Sequence, residues 1–191
     1  HIEYEKYKDH RESTPEDIKL SVPIIKEIIR AYNIPVLEVP GYEADDVIGT
    51  IAKRVDKEEF DVYMMTPDKD YAQLTEDHIF MYKPKYGSND FEVMDEKAVL
   101  KKYNITSPKQ VIDLLGLMGD SSDNIPGCPG VGPKTAEQLL AQFGTIENLL
   151  ENTDQLKGAL KTKIEENKEQ ILFSKYLATI KTDVPIEIEK E

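Results

Sequence analysis

Residues 60–70 read Phe-Asp-Val-Tyr-Met-Met-Thr-Pro-Asp-Lys-Asp, an apolar run followed directly by acidic side chains. Strands of a parallel sheet are apolar almost throughout because both faces are covered, so Phe60 to Thr66 is predicted to be a buried strand. A short helix from Asp68 to Leu74 follows it. The functional crevice of an open α/β sheet lies beyond the carboxyl ends of its strands, which is where Asp68 and Asp70 are expected.

Strands alternate with helices on both sides of this stretch. The apolar pattern predicts a helix after Thr14, kinked or split at Pro23, and a strand over Pro35 to Val39. The next predicted helix, over residues 43–55, should turn four apolar residues inward, Val47, Ile48, Ile51 and Val55. Further elements are predicted downstream: a strand over 79–82, a strand over 91–93 that pairs back across the turn at 87–90, and helices over 95–103 and 108–118.

Beyond Asp120, glycine, proline and helical patterns replace the strands. The predicted fold is therefore α/β, a mostly parallel sheet flanked by helices and followed by an all-helical subdomain, with domains at 1–118 and 119–191. No run is apolar enough to cross a membrane, and a single cysteine, Cys128, forms no intramolecular disulfide, so a cytoplasmic setting is the default.

Acidic side chains gather in three motifs. They are Gly41-Tyr42-Glu43-Ala44-Asp45-Asp46 at a helix start, Thr66-Pro67-Asp68-Lys69-Asp70 after a strand, and Gly119-Asp120-Ser121-Ser122-Asp123-Asn124 between helices. Each motif alone fits a helix cap or a turn. Carboxylates packed together raise one another's pKa unless cations hold them, and hard oxygen ligands select Mg²⁺ or Mn²⁺ over zinc.

Phosphodiester hydrolysis is the chemistry that such a cluster serves best. One metal ion makes hydroxide available near neutral pH, and a second, about 4 Å away, stabilises the leaving oxygen. The net charge of −13 would by itself argue against a nucleic-acid partner. Acidic metal ligands add to that total, however, while the ions that neutralise them are not counted.

A glycine-rich hairpin, Gly-Cys-Pro-Gly-Val-Gly-Pro-Lys-Thr-Ala over residues 127–136, lies between two helical stretches. Glycines allow a tight turn, and the N–H groups of the helix that Pro133 opens can hold a phosphate. An ordinary glycine turn between packed helices is the alternative. The hairpin looks like a helix–hairpin–helix, which grips DNA backbone without reading sequence, and its predicted DNA contacts are Gly130, Val131, Gly132, Lys134 and Thr135.

The motifs at 41–50, 66–70 and 116–127, the hairpin at 130–136 and the stretch 177–183 resemble the 5′-nuclease domain of bacterial DNA polymerase I, a relative of the flap endonucleases. The resemblance implies a PIN-like core, a helical arch, and a hairpin that also binds K⁺. It implies a monomer at the bacterial nucleoid that removes 5′ flaps, RNA primers and damaged ends at nicks, with polymerase domains downstream.

The resemblance also assigns residues. The implied metal ligands are Glu43, Asp45, Asp46, Asp68, Asp70, Asp120 and Asp123, some of them acting through water. Tyr4, Tyr7, Lys8 and Arg11 belong to the arch side, where Tyr7 contacts DNA and the catalytic Lys8 and Arg11 contact the scissile or a neighbouring phosphate. A frayed terminus is the alternative for this segment.

The family carries two further metal aspartates and a central strand upstream of the position of His1. We therefore expect this chain to bind metal weakly and to cleave slowly or not at all. Three alternatives stay open: a DNA-binding fragment without catalysis, a PIN-type toxin ribonuclease, and a purely structural acidic protein. The hairpin and the long helical part speak against the toxin, and the three motifs speak against the structural protein.

Overall fold

The computed structural model describes residues 4–85 and 87–187. The described elements follow in chain order: α1 (Glu16–Ala31), α2 (Ala44–Arg54), β1 (Val62–Met65), a first 3-10 helix (Lys69–Leu74), β2 (Ile79–Pro84), β3 (Phe91–Met94), α3 (Glu96–Tyr103), α4 (Gln110–Met118), α5 (Pro133–Phe143), α6 (Ile146–Glu151), a second 3-10 helix (Thr153–Gln155), α7 (Gly158–Glu166) and α8 (Lys168–Ala178). None of the described helices is long and apolar enough to span a membrane.

The described strands form one sheet in the order β1-β2-β3. β1 runs parallel to β2, with Val62 opposite Ile79, and β3 returns antiparallel, with Phe91 opposite Pro84. The α/β class and the predicted pairing across the turn are confirmed. The sheet was expected to be mostly parallel, but the described strands make one parallel and one antiparallel pairing. β3 pairs antiparallel because it follows β2 after a short turn, which can only return the chain in the opposite direction.

Two predicted features of the N-terminal part are wrong, the strand over residues 35–39 and the inward position of Ile48. Residues 35–39 form no strand, and Leu37 is 47% exposed, because no described strand offers partners for their backbone groups. α1 continues through Pro23 without being split, and none of its residues is buried. α2 buries Val47 as predicted but leaves Ile48 38% exposed, and it also buries Thr50.

The hydrophobic core runs without interruption from the sheet into the helical part. α4 joins the two, since it packs against α8 and α5 on one side and against the first 3-10 helix on the other. Leu115 and Leu117 of α4 are fully buried, and each such side chain contributes roughly 1.5–3 kcal/mol. Because α4 is held on both sides, the loop that follows it has a fixed position beside the carboxyl end of β1.

Candidate metal and nucleic-acid site

The first acidic motif lies at the start of α2. Glu43 precedes the helix, and its backbone N–H donates to Asp46 Oδ2 at 3.2 Å. The other oxygen of Asp46, Oδ1, accepts from the backbone N–H of Lys181 at 2.9 Å. Burial raises the pKa of the neighbouring Asp45 carboxyl, and Glu43 raises it further. The motif is thus both a helix cap and a group of partly buried acids.

The second motif follows β1, and one of its acids is buried. Asp68 is exposed and accepts from the N–H of Asp70 at 3.0 Å. Asp70 is 8% exposed, and its buried Oδ1 accepts no hydrogen bond, although Lys69 Nζ lies 3.4 Å away. Burial raises the pKa of Asp70 to about 6. Buried polar atoms normally have partners, so this oxygen fits a ligand for a cation.

The third motif forms the loop after α4. Asp120 is pinned to Ile125 by two backbone hydrogen bonds of 2.8 and 2.9 Å. Its Oδ1 accepts from the N–H and hydroxyl of Ser122, at 2.9 and 2.5 Å, and its Oδ2 accepts from Lys69 Nζ at 2.5 Å. Burial would raise the pKa of Asp120, but the hydrogen bonds from Lys69 and Ser122 outweigh it and lower the pKa.

Two glycines allow this loop to close. Gly127 has φ +60°, and a Cβ there would overlap the backbone N of Gly119 and lie 2.6 Å from the carbonyl carbon of Met118. Gly119 has φ +74°, and a Cβ there would lie 2.6 Å from the carbonyl oxygen of Ile125. The chain therefore enters and leaves the acidic loop through a backbone contact that tolerates no side chain at either glycine.

The N-terminal segment over residues 4–11 is docked on the acidic loop rather than frayed. Lys8 Nζ lies 2.8 Å from both carboxylate oxygens of Glu43 and 3.4 Å from Asp123 Oδ2. Tyr7 donates to Glu43 at 3.0 Å, and Arg11 pairs with Asp123. Burial lowers the pKa of Lys8, but the hydrogen bonds and charge interactions with Glu43 and Tyr7 together outweigh it and raise the pKa.

A cleft of about 740 Å³ opens between the N-terminal segment and α2. Its walls carry the predicted arch residues, the first motif and Asp70, together with the stretch 176–181. The second and third motifs meet through Lys69, which contacts Asp70 and Asp120. Lys69 lies between these two acids because buried carboxylates require compensating cations.

The predicted metal ligands are therefore brought to one region, but ammonium groups stand between them. Across residues 4–85 and 87–187, no three His, Cys, Asp or Glu side chains lie close enough together to hold a metal ion as they stand. The donor set consists of carboxylate oxygens, and Asp70 offers one with no hydrogen bond. These residues fit a hard divalent cation. The individual ligand assignments stay predictions.

The predicted hairpin leads into α5. Gly132 precedes the helix, Pro133 is its first residue, and Lys134 is exposed. Val131 differs from the prediction, because its side chain is 4% exposed and its N–H donates to the Cys128 carbonyl at 3.0 Å. Neither its side chain nor its N–H is available to DNA, so a contact at this position would involve its carbonyl oxygen.

Two lysines near these sites were not singled out from the sequence. Lys69 had a signal, since it stands between two acids of the second motif. Lys163 of α7 had none, because its position depends on how α7 folds over the hairpin. Its ammonium group occupies the space that a Cβ on Gly130 would need, which adds positive charge beside the hairpin turn.

Comparison with protein families also finds two parts in this chain, a resolvase-like domain followed by a second domain. A model described as "5'-3' exonuclease, N-terminal resolvase-like domain" matches residues 1–104, and "5'-3' exonuclease, C-terminal SAM fold" matches residues 106–191. The chain therefore belongs to the 5′-3′ exonuclease family, whose members are hydrolytic nucleases.

Curated relatives give the particular context. DNA polymerase I of Bacillus subtilis is 48% identical over 98% of this chain, and that of Bacillus caldotenax is 46% identical over 98%. A 5′-3′ exonuclease of Aquifex aeolicus is 39% identical over 98% of this chain. The chain spans 21% of the length of the two polymerases and 62% of that of the exonuclease.

Solved structures share the fold. The bacteriophage T5 flap endonuclease, in a complex with DNA and metal ions, has a TM-score of 0.74 at 21% identity, covering 93% of this chain and 68% of that one. The catalytic core of Rad2 with a DNA substrate has a TM-score of 0.55 at 18% identity, covering 92% of this chain and 59% of that one. The predicted PIN-like core with a helical subdomain is confirmed.

Proposed function

We propose that this chain is the nuclease part of a DNA polymerase I and hydrolyses phosphodiesters of DNA and RNA primers as a metal-dependent 5′-3′ exonuclease and flap endonuclease. One observation carries the proposal: Asp70 Oδ1 is buried without a hydrogen bond, at the carboxyl end of β1, among the acids of the other two motifs. Family membership supports the reaction class, and the buried oxygen of Asp70 supports this location for the metal ions.

The proposed cofactors are two Mg²⁺ or Mn²⁺ ions held by the three acidic motifs. When bound, such ions would lower the pKa of a water and stabilise the leaving oxygen. The protein's part is to hold the carboxylates in position, which the Asp46–Lys181 and Asp120–Ser122 hydrogen bonds already do. Neutral or cationic side chains at these places would not attract the ions.

DNA is proposed to lie across the cleft and the hairpin. Lys8 and Arg11 stand at the cleft and can turn from their carboxylate partners to a phosphate, as Arg11 is half exposed. The start of α5 with Lys134 and Thr135 can hold the backbone farther along the duplex. K⁺ at the hairpin belongs to the proposal as well, although Lys163 already brings a positive charge to Gly130.

The wider setting is also proposed. A DNA with a 5′ flap or nick, or an RNA primer on DNA, would be the substrate, and polymerase domains would follow in the parent chain, as in the relatives named above. A monomer at the bacterial nucleoid in the cytoplasm suits this role.

Cleavage of a 5′-labelled flap DNA tests the function. The wild-type chain, which is expected to bind metal weakly, should cut slowly with Mg²⁺ or Mn²⁺ and stop with EDTA, and Asp70→Asn should lose at least about tenfold in rate, as changes at metal sites typically do. Asp77→Asn makes the same chemical change at an exposed position outside the site and should cut like the wild type. Cutting in EDTA, or normal cutting by Asp70→Asn, would refute the proposal.

A DNA-binding module without catalysis is the second candidate. Lys8 and Lys69 lie among the carboxylates and already neutralise them, which favours this second candidate. If the chain binds flap DNA but does not cut it at any concentration of Mg²⁺ or Mn²⁺, this second function is the correct one.

A further inference from the structure

Lys69 bridges two acidic motifs. Its Nζ lies 2.5 Å from Asp120 Oδ2 and 3.4 Å from Asp70 Oδ1. The two carboxylates are 7% and 8% exposed, whereas the lysine side chain is 38% exposed. A single ammonium group thus stands between two buried carboxylates, with an open path to solvent for its own side chain.

The position of Lys69 is explained by the balance of charge at the two carboxylates. Two buried carboxylates repel each other, and a cation between them offsets both this repulsion and part of the penalty for burying them. In this structure, Lys69 is that cation for Asp70 and Asp120. A divalent ion that takes these same oxygens carries twice the charge, and it cannot share their space with an ammonium group. The side chain must therefore leave when such an ion enters.

We infer that Lys69 is an internal counter-ion that competes with divalent metal for Asp70 and Asp120. Its ammonium group reduces the repulsion between the two carboxylates when no metal is bound, and its side chain moves into solvent when metal binds. Lys69 therefore stabilises the protein without metal and weakens the apparent metal affinity. The inference rests on the proposed metal site, whose assignment it deepens.

Calorimetric titration of the 191-residue chain with Mn²⁺ tests the competition. Lys69→Met removes the charge and keeps the length of the side chain, so the dissociation constant should fall about tenfold, the equivalent of one lost charge-assisted hydrogen bond. Lys161→Met is the matched control, because Lys161 is also 38% exposed and makes an ion pair of 3.9 Å with Glu165 in α7. Its affinity should not change.

Stability and charge separate this mechanism from others. Lys69→Met should lower the metal-free melting temperature and lose this deficit in saturating Mn²⁺. Lys69→Arg keeps the charge and can grip both carboxylates, so its Mn²⁺ affinity should be no tighter than that of the wild type. A Lys69→Arg variant that binds metal as tightly as Lys69→Met would overturn the inference.

Motion of the lysine is a direct readout on the unaltered protein. With ¹³C-labelled lysine, the Lys69 Cε signal, identified by its loss in Lys69→Met, should shift when diamagnetic Mg²⁺ is added, and the Lys161 signal should not. If the wild type binds metal and Lys69→Met does not bind it more tightly, the inference fails and the proposed metal site stands. If neither protein binds metal, both fail.

Discussion

Gly127→Ala should destabilise the protein strongly, because this glycine closes the acidic loop. A residue with a side chain pays about 1–2 kcal/mol for the left-handed backbone at φ +60°. The new methyl group would also meet the backbone of Gly119 and Met118, which cannot move away as a flexible side chain could, and such overpacking costs about 1–3 kcal/mol. Together these give a loss of about 2–5 kcal/mol.

Two other glycines separate the two causes. Gly158 has φ +58° but open space around its Cβ position, so Gly158→Ala should lose only the backbone cost of about 1–2 kcal/mol. Gly132 has a negative φ and open space, so Gly132→Ala should stay within about 0.5 kcal/mol of the wild type.

Urea unfolding followed by circular dichroism measures all three free energies of unfolding. We predict the order Gly132→Ala, Gly158→Ala, Gly127→Ala, from most to least stable. If Gly127→Ala is as stable as Gly158→Ala, the backbone contact with Gly119 carries no energy and the explanation of the loop closure is wrong.

Three further perturbations test the hairpin, the metal ligands and the helical part. Gly132→Val should weaken DNA binding in fluorescence anisotropy and leave the fold intact, because there is room for a side chain but it would keep a phosphate from the backbone. Replacing Asp120 and Asp123 by Asn should weaken Mg²⁺ binding in calorimetry, and should also lower metal-free stability, because both acids pair with cations. Lys175→Met should cost about 3–5 kcal/mol in urea unfolding, since it leaves the buried Asp113 without its ion pair of 2.7 Å.

Each of these has an outcome that contradicts it. A folded Gly132→Val variant with unchanged DNA affinity would remove the hairpin from the interface, and an Asp120/Asp123 variant that titrates like the parent would remove both from the metal site. The effect of Lys175→Met should depend on pH. Burial raises the pKa of Asp113, and loss of Lys175 should raise this pKa further. The folded state then binds the proton more tightly than the unfolded state, so the deficit of Lys175→Met should shrink as the pH falls. A deficit independent of pH would refute that explanation.

The order of elements along the sequence predicted where the acids of the second motif lie. Asp68 and Asp70 follow a strand, so their position at the carboxyl end of β1 follows from the α/β pattern alone. The docking of Lys69 onto Asp120 could not be predicted, because the two residues are 51 positions apart and meet only through the packing of α4. Local pattern indicates which edge of the sheet a residue occupies, whereas the partner across that edge depends on tertiary structure.

The wrong predictions have a common physical cause. Residues 35–39 and the apolar stripe of α1 both show patterns of elements that bury one face, yet Leu37 and the stripe are exposed. Periodicity reports the tendency to form a buried face and says nothing about which surface covers it. Val131 shows the opposite case, because its place in the hairpin pattern predicted a DNA contact, whereas its side chain is buried in the core.

The docking of residues 4–11 on the acidic loop has a consequence for folding kinetics. Asn124 binds the Lys6 carbonyl across 118 positions of sequence, and Lys181 binds Asp46 across 135. Contacts this distant in sequence require large loop closures before they return any energy, so they should form late. Helices such as α5 to α8 can form and pack long before the cleft exists. We therefore expect the cleft to be the last part of the molecule to form, and we expect metal binding by a refolding chain to coincide with the end of folding.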